Sequence, residues 1–256
     1  VSQNLVMPPG SAISDANRPL RVGFMSNFLY EHSIGKMMVS LLSSLAEPGS
    51  TQHIHTYILD TIPEDSPSHD HVHQHIILRA HSYIRLPPSD LVGAMDRVAE
   101  LDLDVLIYPD IGMEPFTFFL SFARLARVQC VWWGHPSTTP ATSMDYFLSL
   151  DTEVSAANDH YHEQLVRMDW MQTAPFQPTR PEERVLARPL EDFGLSSHQH
   201  PLLVLGRLFK LHPSFDQAIV DILAADPHAV VVLIQERREA WTREIWSRVQ
   251  ESARRR

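Results

Sequence analysis

The sequence predicts an α/β protein built on a parallel sheet. Three observations carry this: short apolar runs recur between polar turns, segments with apolar residues at helical spacing separate them, and residues that favour helix starts open those segments. Order begins at LRVGFMS, Leu20–Ser26, a buried strand pattern. SIGKMMVSLLSSL, Ser33–Leu45, then sets Ile34, Met37, Met38, Leu41, Leu42 and Leu45 on one helical face, with Ser33 available as N-cap. Strand patterns return at 53–59 and 82–86, a helix over 89–101 opens on Ser89, and a buried strand runs over 104–110. Pro115 sits in the first turn of a helix over 114–126, which leads into the strand VQCVWWG, 128–134, and then the apolar run 144–150. In such sheets ligands sit beyond the carboxyl ends of the strands, so the loops that follow strands are where chemistry is to be sought.

Beyond residue 150 the pattern loosens, and Pro175, Pro178, Pro181 and Pro189 predict a linker or crossover. A strand at 201–207 follows, then a helix over Ser214–Ala225, a strand at 229–235, and a final helix on which Trp241, Ile245 and Val249 recur every four residues. Two strands and two helices are few to enclose a core, so this part either packs onto the first sheet or is the opening portion of a second domain. The expected organisation is a loose leader at 1–18, a first domain at 19–172, a linker at 173–200 and a partial second domain at 201–256.

Composition removes several functional classes. With 256 residues, 44% hydrophobic and 20% charged, the chain is globular rather than disordered. No apolar run reaches the roughly 18 residues of a membrane span, and 1–18 lacks the order of a secretory signal, so a cytoplasmic or nucleocytoplasmic protein with no membrane partner is expected. Cys130 is the single cysteine, which excludes an intrachain disulfide and any cysteine-based metal site, and its apolar neighbours make it a buried strand residue. A net charge of −10 argues against a nucleic-acid partner. Neither G-x-G-x-x-G nor a P-loop occurs, which disfavours nicotinamide and P-loop ATP chemistry.

Four places carry candidate chemistry. HDHVHQH sets His69, His71, His73 and His75 two apart, but Ser66, Pro67, Ser68 and Asp70 around it read as an exposed loop, and no metal is expected there. His32 lies between the first strand and the next helix, whose N-terminus favours anions. Arg207 and Lys210, in GRLFKLHP, follow the strand residues 201–205 and precede a helix, a setting that suits a diphosphate. Gly134, His135 and Pro136 form the turn that ends the 128–134 strand.

Taken together, LRVGFMSNFLYEHS, FARLARVQCVWWGHPSTT, MDYFLSLDTEVS with HYHEQLVRM, and LFKLHPSFD resemble the catalytic region of protein O-linked N-acetylglucosamine transferases and the related Spindly-type transferases, in that order and from residue 20 to about 235. The resemblance implies a GT-B fold, here one complete Rossmann-like parallel-sheet domain plus the start of a second. It implies inverting, metal-independent and cofactor-free transfer of N-acetylglucosamine from UDP-GlcNAc to Ser or Thr hydroxyls of proteins. His32 matches the cleft histidine that serves as general base or acceptor-positioning group, and Lys210 the lysine that neutralises the leaving diphosphate. Arg207 stands near it, and Gly134, His135 and Pro136 shape the nucleotide-sugar site. Tetratricopeptide repeats are expected upstream in a full-length chain, of which this sequence would be a fragment. The sequence departs from the family pattern at Arg207, where glutamine is common, at YPDIGMEP, which lacks a Gly-(Tyr/His)-Thr, and at Pro140, where glycine is common. Two rival readings stand beside it: a Spindly-like protein O-fucosyltransferase using GDP-fucose, and a catalytically dead remnant that binds proteins.

Overall fold

The computed structural model describes residues 18–45, 54–64, 66, 69–169, 188–235 and 237–255. The expected leader, save Arg18, and residues 173–187 of the expected linker lie outside them. The chain divides into two compact units, Val1–Pro178 and Thr179–Arg256.

The first unit is the parallel sheet that the alternating pattern predicts. Seven strands, β1 (Leu20–Ser26), β2 (Ile54–Asp60), β3 (Ser82–Arg85), β4 (Leu103–Tyr108), β5 (Ala126–Trp132), β6 (Tyr146–Leu150) and β7 (Gln164–Met168), lie in the order β3-β2-β1-β4-β5-β6-β7. Every neighbouring pair is parallel. Parallel strands need crossovers, and four of these are helical: α1 (Ser33–Leu45), α2 (His71–Arg79), α3 (Leu91–Ala99) and α4 (Pro115–Leu120).

Strand side chains alternate between faces, and the two faces bury different helices. Val22 and Phe24 of β1 join Ile58, Ile107, Cys130 and Trp132 beneath Ile34, Met38 and Leu42 of α1 and Val72 and Ile76 of α2. Met25, Leu59, Leu106, Tyr108 and Val131 point the other way, onto Ala94, Met95 and Val98 of α3 and Leu120 of α4. Each fully buried Leu, Ile or Met contributes about 1.5–3 kcal/mol, so the sheet is held from both sides. Cys130 is 5% exposed and burial raises its thiol to about 12, as a structural core residue requires.

Four local expectations change. His71–Arg79 is a helix, not an exposed loop: Asp70 caps it by accepting from the His73 N–H at 3.0 Å, and Val72, His73 and Ile76 are buried. Asp90 rather than Ser89 caps α3, accepting from the Gly93 N–H at 2.8 Å. The helix that starts at Pro115 stops at Leu120, because the buried Gln129 carboxamide accepts the Leu125 and Ala126 N–H groups and draws that segment into β5. Gln164–Met168 pairs with β6 as a seventh strand that no periodicity announces.

The second unit holds β8 (His200–Val204) and β9 (Ala229–Leu233), parallel to each other in a sheet of their own, with α5 (Ser214–Ala225) and α6 (Glu239–Arg254). It does enclose a small core, made of Leu208, Ile219, Val220, Ile245 and Val249. Arg248 of α6 grips the buried Asp216 of α5 through two hydrogen bonds, at 2.8 and 2.9 Å, and donates a third to the Leu211 carbonyl. Among the described residues no helix is long and apolar enough to cross a membrane.

Candidate active site

Strand order locates the crevice. From β1 the chain steps outward through β2 and β3, then returns to the other side of β1 with β4 and continues to β7. The reversal between β1 and β4 separates the loops that follow them, and ligands of open α/β sheets bind at that point. His32 lies in the loop after β1 and Asp110 in the loop after β4.

The β1–α1 loop is compact. Phe28 and Tyr30 hold the His32 ring between centroids 4.9 and 5.8 Å away. Its Nδ1 accepts the Ile34 N–H at 3.3 Å, which places the proton of the neutral ring on Nε2. Half-burial disfavours the imidazolium and lowers its pKa, so the ring is neutral near pH 7. Gly35 permits this geometry: a Cβ there would stand 2.0 Å from the Tyr30 carbonyl oxygen. Asp70 accepts from the Glu31 N–H at 2.7 Å and ties the loop to the start of α2.

The loops after β4 and β5 meet the first turn of α1 at Gly134. A Cβ at this position would lie 2.2 Å from the Pro109 carbonyl oxygen and 2.4 Å from Ile34 Cδ1, so only glycine lets the turn close. Its neighbour His135 packs on Gly112, whose φ of +95° suits glycine and whose missing side chain would meet the ring at 3.3 Å. The His135 Nδ1 is buried without a hydrogen-bond partner among the described residues. Pro136 is exposed, and the turn beyond it is pinned by buried Glu163, which accepts from the Thr138 hydroxyl at 2.6 Å and the Thr139 N–H at 2.9 Å.

Asp110 is the residue at this edge that sequence reasoning passed over. It is 1% exposed, and neither carboxyl oxygen makes a well-formed hydrogen bond among the described residues. Burial raises its pKa to about 7, the Ser26 hydroxyl opposing and the Glu114 charge adding to the shift. Buried carboxyls that titrate near neutrality gather at working sites. The signal lay in YPDIGMEP, where an acid directly follows a strand of apolar residues.

In the second unit the loop after β8 carries the other candidates. Gly206 turns the chain at φ +143°, Leu208 anchors the 3-10 turn Leu208–Lys210 in the small core, and Arg207 and Lys210 are left exposed. Both cations flank Phe209, 5.6 and 6.0 Å from its ring centre, and Phe209 itself packs on Trp241 at 5.3 Å. These groups stand at the carboxyl edge of a parallel pair and ahead of α5, as the sequence reading has them.

No family model matches the chain. Over 206 residues, 79% of its length, the chain is 25% identical to the UDP-glucose:protein N-beta-glucosyltransferase of Actinobacillus pleuropneumoniae serotype 5b (strain L20), and covers 30% of that protein. A solved mutant of the Thermobaculum terrenum O-GlcNAc transferase superposes with a TM-score of 0.74 at 18% identity, over 97% of this chain and 45% of that one. The chain thus spans less than half the length of either protein. Its fold is that of the O-GlcNAc transferase, and its sequence is similar to that of a protein glycosyltransferase, in line with the resemblance read from the sequence.

Proposed function

From a chain with the fold of an O-GlcNAc transferase and the sequence of a relative of protein glycosyltransferases, we propose that it is part of an enzyme moving a sugar from a uridine diphosphate donor to a side chain of another protein. One observation carries the reading: the groups the chemistry needs fall at carboxyl edges of parallel strands, His32 and Asp110 after β1 and β4, and Arg207 and Lys210 after β8. Transfer makes a bond from the acceptor atom to the anomeric carbon and breaks the bond to the diphosphate, whose oxygen keeps the electron pair. The departing diphosphate needs positive charge, which Lys210 and Arg207 supply. The acceptor must also lose a proton.

With its proton on Nε2, His32 donates a hydrogen bond and orients the acceptor oxygen. To take the proton itself it must adopt the other tautomer and give up the long bond from Ile34. Asp110, half ionised near neutrality, is a second proton acceptor at the same edge. Gly134, His135 and Pro136 form the turn against which the sugar nucleotide would lie.

N-acetylglucosamine passing to a Ser or Thr hydroxyl without metal or cofactor is the finer reading, in the setting of a longer cytoplasmic or nucleocytoplasmic protein with tetratricopeptide repeats. The match to a UDP-glucose:protein N-beta-glucosyltransferase favours a second one, in which glucose passes to a side-chain nitrogen. Calorimetric titration of uridine and guanosine diphosphates into the purified chain tests the core of the proposal. Uridine diphosphate is expected to bind, and Lys210→Ala to weaken it by about tenfold or more. A preference for guanosine diphosphate would move the assignment to the fucosyl transferases, and binding of neither nucleotide by a longer chain that carries the rest of the second domain would leave a protein-binding remnant. Mass spectrometry of a peptide library incubated with UDP-GlcNAc or UDP-glucose then separates the two donors.

A further inference from the structure

We propose that Asp60, His69 and His73 form a zinc-class metal site at the carboxyl end of β2, a site that stands whatever sugar the protein handles. One ligand atom from each lies within 4.8 Å of the others. Asp60 is 0% and His73 3% exposed, while His69 sits half-buried at the approach to α2.

Hydrogen bonding fixes how these groups face one another. The His73 Nδ1 is 2.9 Å from the Leu29 carbonyl, which only accepts, so Nδ1 carries a proton. A ligating histidine is held in this way, its far nitrogen donating to a backbone carbonyl while the near one is left for the ion. Nε2 of His73 faces Asp60 Oδ2 at 3.5 Å. That separation is long for an N–H···O bond and close to the edge of about 3.3 Å that two ligands at about 2.0–2.1 Å subtend in a tetrahedron. Asp60 is itself oriented, accepting the Ile62 N–H through Oδ1 at 2.8 Å and the Tyr83 hydroxyl through Oδ2 at 2.6 Å. Two imidazoles and one carboxylate form an N,N,O set suited to Zn²⁺ or Co²⁺ with a position left for water.

Arg85 is the competitor. Its Nη2 stands 2.8 Å from His69 Nε2, so without an ion the guanidinium occupies the cation's side of the cluster. Glu64, whose carboxylate lies 3.7 Å from Nη1, offers an alternative partner. A depression lined by Ile62, Pro63, Glu64, Arg85, Pro87 and Pro88 gives the guanidinium somewhere to go. An ion here would clamp the end of β2 to α2, which already holds the β1–α1 loop through Leu29 and Glu31.

The test is titration of Zn²⁺, and of Co²⁺ followed by its visible absorption, into metal-stripped full chain whose folding is checked by circular dichroism. One equivalent should bind, with cobalt bands of a tetrahedral site. His69→Ala, at a half-exposed position that spares the core, should weaken binding by at least about tenfold. Arg85→Gln should tighten it, and His228→Ala, which alters a histidine of the second unit, should leave it unchanged. A folded chain that binds no equivalent of either ion overturns the proposal. So does binding that His69→Ala leaves intact, because the ion is then held elsewhere.

Discussion

A methyl group added at Gly134 has no space to occupy, because the Pro109 carbonyl oxygen and Ile34 lie within 2.4 Å of where it would go. Relief means pushing the β5 turn off the β4 and α1 loops together. Gly134→Ala is therefore expected to lower stability by about 1–3 kcal/mol in urea unfolding and to weaken nucleotide binding as well. Asp110 gives a pH signature. Its pKa rises from an ordinary 3.8 to about 7 on folding, so between those values the folded chain binds more protons than the unfolded one. Stability then falls as pH rises through that window, by about 1.4 kcal/mol per unit, and is flat above it. Asp110→Asn lacks this slope, so its stability relative to the parent should climb between pH 4 and 7. Urea unfolding at a series of pH values, showing parallel curves for the two chains, would contradict the assignment. His32 was legible because the first strand and helix bracket it within a few residues. Asp110 was less so, because its neighbour Ser26 comes from β1, eighty-four residues earlier, and its burial is not visible in the local sequence.

Gln129 governs a whole segment. From β5 its side chain accepts the Leu125 and Ala126 N–H groups and donates to the Ala123 and Ser143 carbonyls. Gln129→Leu keeps the bulk and strands four buried backbone groups, each costing about 1–3 kcal/mol. Loss of several kcal/mol is expected, read by thermal unfolding, and Gln129→Glu should not rescue it, because a buried carboxylate oxygen would face the Ala123 and Ser143 carbonyls. Elements such as α1 and β1 announced themselves because one apolar face is buried and the period is clean. The helix at His71–Arg79 did not, since only Val72 and Ile76 mark its inner face and the histidines between them look like a solvated tract. β7 was hidden because none of its residues is fully buried, and edge pairing with β6 rather than apolar alternation makes it a strand.

Across the molecule, protection should follow burial. Amides of β1, β4 and β5, central in the seven-stranded sheet and covered on both faces, are expected to exchange with deuterium slowest. Those of β8 and β9, backed by a core of five buried residues, should exchange first, and equal protection of the two sheets would show that the smaller core has been undervalued. Sequence revealed the parallel class and most of the strands, since both follow from local pattern. Strand order did not follow, because nothing within β1 says that its second neighbour is β4.

That neighbour has a cost in time. Val22 pairs with Val105, eighty-three residues further on. At roughly 5–20 residues per second of synthesis, β1 waits about 4–17 s for the partner on its open side, with only β2 beside it. Through that interval Val22, Gly23 and Phe24 present an unpaired backbone edge and apolar side chains to the cell, and a chaperone that shields nascent chains has its natural point of engagement there.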